Sequence, residues 1–213
     1  MIVGICGAIG SGKDTVAQYI CDSREYVRVS MAAALKDAAA VVFGWDRDML
    51  EGLTQEHRAQ REQPDTFWAE KLGIPGFSPR MALQIVGTDL FRDHFHPEIW
   101  VFAAERKIMQ ATNVVISDIR FPNEIEMIRR HGGQIWHVRR GDDPVWWQCA
   151  KNDVAGNAVP PNTMGLKYPN IHFSEWAWAN TYFDIVLHND HSLAMLYNHV
   201  EQVLQYPGVI HNS

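Results

Sequence analysis

Residues 7–15 read Gly-Ala-Ile-Gly-Ser-Gly-Lys-Asp-Thr, which keeps the spacing GxxxxGK from Gly7 to Lys13. Glycines at these positions let the backbone curl round an anion and aim its N–H groups inward. Lys13 would bring a full positive charge to the β and γ phosphates of ATP, where charge builds as a phosphoryl group leaves. The context is the one this chemistry needs. Residues 2–6 form a short apolar run that reads as a buried strand. A helix is expected from about Lys13 to Cys21, with Val16, Ala17 and Ile20 on one face, and its N-terminus adds partial positive charge to the loop. A Gly-rich turn without a ligand is the competing reading, and both spacing and context weigh against it. Gly10, Ser11, Gly12, Lys13, Asp14 and Thr15 are therefore the candidate ATP contacts. The position after the lysine usually carries a Ser or Thr whose hydroxyl holds Mg²⁺. Here it is Asp14, with Thr15 one later, so Asp14 is expected to act through water around the metal or to favour the helix N-terminus. No residue is singled out as a direct metal ligand.

A second set of candidates surrounds Asp118. Residues 113–118 (Asn-Val-Val-Ile-Ser-Asp) are an apolar run of β-formers ending in an acid, as a strand carrying a Walker B carboxylate would. Such an Asp, taken alone, is as often a cap for the next turn. Arg120 and Glu124 follow at once, placing a cation and a second acid at the C-terminal edge of a sheet, where ligands bind in open α/β folds. The helix expected over 79–95 carries Arg80, Gln84, Gly87 and Thr88 at spacings of four, three and one, so they share roughly one face. That face can seat a phosphate and a polar base edge, or it can simply be solvated. Trp100 reads as core packing or as a stacking platform. Lys36 reads by itself as a solvated helix lysine. Arg139 and Arg140 end a strand before a long loop, well placed to clamp ATP phosphates. Strand alternation predicts that the two point to opposite faces.

The elements that must position these residues alternate along the chain. Strands are expected at 2–6, 26–29, 113–118, 134–138 and 183–187. Helices are expected at 13–21, 31–43, 79–95, 98–111, 122–130 and 192–204. Gly44 stops one helix, and Ser78-Pro79 opens another as a cap followed by a first-turn proline. Residues 46–75 read as polar helical pieces. Residues 141–171 hold Pro144, Pro160, Pro161 and Pro169 and show no periodicity, so a long functional or mobile loop is expected there. The alternation argues for an α/β fold with a parallel sheet covered on both faces.

The chain has 213 residues, of which 46 % are apolar and 21 % charged, enough for one α/β domain with its own core. The net charge of −6 argues against nonspecific duplex binding, which needs a basic face. No apolar run approaches the roughly 20 residues of a membrane span. The opening Met-Ile-Val-Gly-Ile-Cys-Gly lacks a charged segment and a cleavage site, which argues against a secretory signal. Cys6, Cys21 and Cys149 form no CxxC pair and read as reduced thiols of a cytoplasmic protein. The ten histidines form no ligand set, and the Trp pairs at 146–147 and 176–178 read as packing.

Five blocks carry a family resemblance. They are Gly-x-x-Gly-Ser-Gly-Lys-Asp-Thr (7–15), Ala-Leu-Lys (34–36), Ser-Pro-Arg-x-x-Leu-Gln-x-x-Gly-Thr-Asp (78–89), Ile-Ser-Asp-Ile-Arg-Phe-Pro-Asn-Glu (116–124) and His-Phe-Ser-Glu (172–175). In this order they resemble the bacteriophage deoxynucleoside monophosphate kinases, over nearly the whole chain. The resemblance implies transfer of phosphate from ATP to a dNMP, giving dNDP and ADP, in the host cytoplasm if the chain is viral. It implies Mg²⁺, held largely through water in loops of the GKxT type. It also implies a single three-layer P-loop kinase domain over 1–213, with a helical acceptor-binding region at about 45–100 and a lid at about 140–171. By residue, Lys13 matches the phosphate-loop lysine. Arg80, Gly87, Thr88, Trp100, Asp118, Arg120 and Glu124 match acceptor-site positions, and Lys36 matches a lysine near the acceptor phosphate. Among these, Lys13, Arg80, Asp118 and Arg120 are the expected catalytic set. The faint match over 45–75 does not choose between Arg58 and Arg61 as a further acceptor contact, and the His-Phe-Ser-Glu block has no assigned role. Monomer and homodimer both stay open. The competing readings are another small-molecule P-loop kinase (phosphomevalonate or dephospho-coenzyme A type), a nucleic-acid-dependent ATPase or packaging module, and a non-catalytic nucleotide-binding module.

Overall fold

The computed structural model describes residues 1–205. Its frame is a five-stranded sheet built from β1 (Ile2–Cys6), β2 (Val27–Val29), β3 (Val114–Ile116), β4 (Gln134–Arg139) and β5 (Ile185–His188), in the order β2-β3-β1-β4-β5. All four pairings are parallel, with Ile2 opposite Val114, Val3 opposite Gln134, Val27 opposite Val114 and Trp136 opposite Ile185. From β1 the chain builds one side of the sheet and then crosses to the other. The C-terminal end of β1 is thus a topological switch point, the place where such sheets open a crevice for ligands.

Strand alternation sorts the side chains of β1 between two helical layers. Val3 and Ile5 are fully buried with Val16, Ala17 and Ile20 of α1 (Lys13–Ser23) and Leu196, Val200 and Val203 of α11 (Leu193–Gln205). Tyr19 and Tyr197 stack at 4.1 Å across these two helices. Gly4 faces the other way, where a Cβ would stand 2.6 Å from Ile128 of α8 (Pro122–Arg130). A side chain at position 4 would have to push the tip of Ile128 aside. The result is a helix–sheet–helix sandwich, the three-layer architecture expected of a P-loop kinase.

Backbone contacts divide the chain into two compact units. The sheet unit comprises residues 1–30 and continues from Lys107, and the second unit is Met31–Arg106, wider than the 45–100 stretch expected. The second unit is wholly helical: α2 (Ala33–Phe43), α3 (Arg47–Glu51), α4 (Gln55–Glu62), α5 (Thr66–Leu72), α6 (Pro79–Gln84), a π-helix over Ile85–Arg92, and most of α7 (Ile99–Ile108). Local rules set its boundaries. Asp46, Thr54, Asp65 and Ser78 each accept a backbone N–H three residues on, and Gly44, Gly52 and Gly73 close helices in the left-handed conformation. Phe43, Trp45, Trp68 and Phe77 form its aromatic core, with the Trp45 indole donating to Asp65 at 2.7 Å and the Trp68 indole to the Phe43 carbonyl at 3.0 Å.

Two expectations need correction. The helix expected over 79–95 changes at Ile85 into a π-helix. Residues 141–171 are not structureless, since they hold α9 (Trp147–Val154) and α10 (Thr163–Lys167). The Asp153 carboxylate accepts the Thr163 N–H at 3.0 Å, bracing one short helix on the other. No helix among the described residues is long and apolar enough to cross a membrane.

His137, in β4, lies buried against Trp147, Trp178 and Phe183. Burial disfavours its charged form and pulls its pKa from 6.5 to about 4. The unfolded chain therefore binds this proton more tightly than the folded one. Stability is full above about pH 6.5 and falls toward pH 4, by up to about 3 kcal/mol from this group. Urea denaturation at pH 7 and pH 4.5 should show a larger loss in the wild type than in His137→Phe, and equal losses would refute the assignment.

Candidate functional site

The loop after β1 is shaped by close approach. Gly10 and Gly12 sit at φ 80° and 97°, in the region that favours glycine. A Cβ at Gly7 would lie 2.5 Å from the Ser11 Oγ and 2.6 Å from the Val138 carbonyl. The Asn189 side chain, just past β5, donates to the Ser11 carbonyl at 2.8 Å and braces the loop from the far edge of the sheet. Ser11 is buried, and its Oγ has no hydrogen-bond partner among the described residues. Lys13 opens α1 with most of its side chain covered. Burial lowers its pKa, Asp14 at 4.0 Å opposes that, Arg120 adds to the lowering, and Glu175 and Asp118 oppose it. The lysine thus stands where carboxylates and a second cation converge, in an arrangement suited to an anionic ligand.

Asp14 has a role that sequence reasoning missed. Its Oδ1 accepts from Arg28 Nη2 at 2.6 Å and from the Ser117 hydroxyl at 2.8 Å, and Arg28 also donates to Ser117 at 2.8 Å. The first turn of α1 is thereby tied to β2 and to the end of β3. Arg28 carried no motif signal, and Ser117, inside the 116–124 block, was given no role, because the triangle exists only once three segments meet.

Strand β3 ends at Ile116, two residues before Asp118. Asp118 accepts from the Ser30 hydroxyl at 2.7 Å. Arg120 follows on a sharp bend held by Glu124, whose Oε2 accepts the backbone N–H groups of Arg120 at 2.8 Å and Phe121 at 3.1 Å. Glu124 is only 2 % exposed, so its carboxylate shapes this bend from inside. The Arg120 guanidinium reaches Glu175 in a short ion pair and lies 3.5 Å from the Ser174 hydroxyl. The His-Phe-Ser-Glu block thus supplies the partner of Arg120.

The strand ends at Arg139, and Arg139 and Arg140 both border one cleft with Ala8, Ser11 and Trp146. Arg139 pairs with Asp143 at 3.3 Å.

In the helical unit, Lys36 is not a solvated lysine. Its ammonium meets Glu51 at 2.8 Å with 12 % of the side chain exposed, and Glu51 also binds Arg47 at 2.7 Å. Arg80 is exposed and pairs with Glu62 at 3.1 Å. Arg61 is half-buried, and burial and the neighbouring Arg80 lower its pKa. It donates to the Leu50 carbonyl at 3.3 Å, and Arg58 donates to the Gly52 carbonyl at 2.9 Å. Gly87 lies in the π-helix, where a Cβ would stand 2.6 Å from Leu35, and Thr88 beside it is exposed. Trp100 is buried against Phe91, and its indole donates to the Gly87 carbonyl at 2.9 Å. That geometry gives Trp100 the job of holding the turn that carries Gly87 and Thr88.

Comparison with known proteins places the chain in a family. A family model described as deoxynucleotide monophosphate kinase matches residues 55–148. The deoxynucleoside-5'-monophosphate kinase of Escherichia phage T5 is 30 % identical over 183 residues, covering 61 % of this chain and 72 % of that protein. A protein of Acanthamoeba polyphaga mimivirus assigned to the same enzyme class is 35 % identical over 154 residues, covering 66 % of this chain and 74 % of its own length. Among solved structures, TT1252 from Thermus thermophilus aligns over 96 % of both chains at 21 % identity with a TM-score of 0.47, a likeness too loose to carry weight. On the sequence matches, the chain belongs to the deoxynucleotide monophosphate kinase family.

Proposed function

We propose that this chain transfers the γ-phosphoryl group of ATP to the phosphate of a deoxynucleoside monophosphate, giving the diphosphate and ADP. The observation that carries the reading is the convergence on the phosphate loop. Lys13 is largely covered at the mouth of α1, with Asp118 and Arg120 close enough to perturb it. Phosphoryl transfer needs little covalent help from the protein, so positioned cations and N–H donors supply most of the catalysis.

In this reading the loop N–H groups and Lys13 hold the β and γ phosphates of ATP. Arg139 and Arg140, bordering the same cleft as Ala8 and Ser11, close over the triphosphate. Arg120 takes the acceptor phosphate, the family resemblance assigns Arg80 and Lys36 of the helical unit to acceptor binding, and Arg61 is a better candidate than Arg58 because it is the more covered of the two. Thr88 and Gly87, on the turn held by Trp100, border the acceptor. The acceptor oxygen attacks in line and needs no strong base, because a phosphate monoester is largely ionised at neutral pH. Glu124 acts through the bend that carries Arg120.

The donor set suits Mg²⁺. This ion keeps several waters and takes most of its remaining ligands from substrate phosphates, so one or two protein carboxylates suffice. Asp118, oriented by Ser30, can bind its water shell, and the ion would neutralise charge on the β and γ phosphates. Asp14 is engaged with Arg28 and Ser117 and so supports this region indirectly. The cytoplasm supplies both ATP and dNMPs and is the compartment this activity calls for.

ADP release from ATP·Mg²⁺ should rise when dNMPs are offered singly, and failure of every nucleotide to raise it would end the reading. Lys13→Ala should lower kcat by about 10²–10³-fold, the scale seen when one charge-stabilising donor is lost, with the thermal midpoint nearly unchanged. A Lys13→Ala enzyme of normal turnover would refute its role. Arg80→Ala should raise KM for the dNMP while leaving KM for ATP near its wild-type value, as initial-rate kinetics with each substrate varied will show.

A further inference from the structure

The His-Phe-Ser-Glu block is the one motif with no place in the transfer chemistry above. It forms a single 3₁₀ turn, Phe173–Glu175. The His172 Nδ1 accepts the Ser174 N–H at 3.2 Å and lies 2.8 Å from the Ser174 hydroxyl. Phe173 packs edge-on against Trp176 at 4.7 Å and against Phe121 at 6.1 Å. Phe121 is the neighbour of Arg120. The turn is therefore fastened to the bend that carries Arg120 by two independent contacts, one aromatic and one ionic.

Arg120 is consequently gripped twice. Glu124 holds its backbone N–H from the buried side, while Glu175 holds its guanidinium from outside, with Ser174 alongside. The two carboxylates differ in kind. Glu124 is 2 % exposed, whereas the Arg120 and Glu175 side chains are 37 % and 27 % exposed. An ion pair so accessible contributes little to folding. It can still decide where a long, flexible guanidinium waits, because a free arginine would lose rotamer entropy each time it engaged a phosphate. Glu175 also lies near enough to Lys13 to favour its charged form.

We propose that Glu175 is a positioning residue for phosphoryl transfer: its carboxylate holds the Arg120 guanidinium, with Ser174 beside it, ready for the acceptor phosphate. This rests on the reading above in which Arg120 takes that phosphate. Glu175 touches no reacting atom, and its effect passes through Arg120.

A double-mutant cycle tests this with the full-length chain. Glu175→Gln, Arg120→Ala and the double variant are assayed for kcat and KM with a dNMP and ATP, alongside the thermal midpoint. Glu175→Gln keeps the shape of the side chain and removes its charge. It should lower kcat/KM for the dNMP roughly tenfold, the scale of one charge-assisted hydrogen bond, and should add almost nothing in the Arg120→Ala background. Losses that multiply in the double variant, or wild-type kinetics for Glu175→Gln, would overturn the proposal. So would higher activity in Glu175→Gln, which would make Glu175 a competitor of the substrate. The second readout is the ¹⁵N–¹H signal of the Arg120 Nε, assigned by its loss in Arg120→Lys. It should be sharp in the wild type and broadened or shifted in Glu175→Gln, and an unchanged signal would overturn the positioning role. A wild type that phosphorylates no dNMP, with the Nε signal still dependent on Glu175, would instead overturn the transfer reading and the catalytic purpose of the grip with it.

Discussion

Absence of side-chain volume within and just after β1 is the constraint on which the rest of the sheet unit depends. A Cβ at Gly4 would stand 2.6 Å from Ile128, and one at Gly7 would stand 2.5 Å from Ser11 and 2.6 Å from the Val138 carbonyl. These two glycines draw α8 onto one face of the strand and fold the phosphate loop back against β4. Once the loop lies there, α1 must begin at Lys13 with its N–H groups facing the same space. The switch in strand order around β1 then keeps neighbouring crossovers out of the crevice. Packing and phosphate chemistry are thus served by the same few atoms that are missing.

A second regularity concerns charge. Nearly every cation assigned to substrate has a carboxylate neighbour: Lys13 with Asp14, Lys36 with Glu51, Arg80 with Glu62, Arg120 with Glu175 and Arg139 with Asp143. The negative net charge of the chain is therefore compatible with a phosphate-binding role, since the acids sit beside the bases. Partly exposed pairs of this sort are worth about 0–1 kcal/mol each. Except at Arg120, which Glu175 holds ready, substrate phosphates can displace the carboxylates at small cost. Recognition becomes an exchange of partners in place of the capture of bare cations, which would repel one another while empty.

Much of this was legible in the sequence because it depends on neighbours along the chain. The loop GxxxxGK declares itself through spacing, and Gly44 and Ser78-Pro79 mark helix ends by local rules. Asp118 and Arg120 follow an apolar strand closely enough to be found. The π-helix was not legible, since residues 85–92 fit an ordinary helical period. Its Gly87 lies under Leu35 and its carbonyl takes the Trp100 indole, both contacts distant in sequence. Helices α9 and α10 were hidden by prolines and asparagines that cap and link short turns as readily as they break long ones. Arg28 and Asn189 escaped notice, and Ser117 and Glu175, though inside quoted blocks, had no assigned role, for one reason: each acts on a residue at least 14 positions away.

The triangle of Asp14, Arg28 and Ser117 constrains how this loop can evolve. A serine or threonine at position 14 would restore the usual hydroxyl after the lysine, yet it would strip Arg28 of its carboxylate and leave it beside the Ser117 hydroxyl. An uncharged residue at 28 would in turn leave Asp14 with Lys13, at 4.0 Å, as its neighbouring cation and would load the phosphate-loop lysine with that carboxylate. Either change alone passes through a poorer intermediate, so positions 14 and 28 are coupled, and the two versions of the loop are separated by a shallow valley in sequence space. Lineages that carry an acid after the lysine should therefore carry a base on the second strand, and the pair should be gained or lost together.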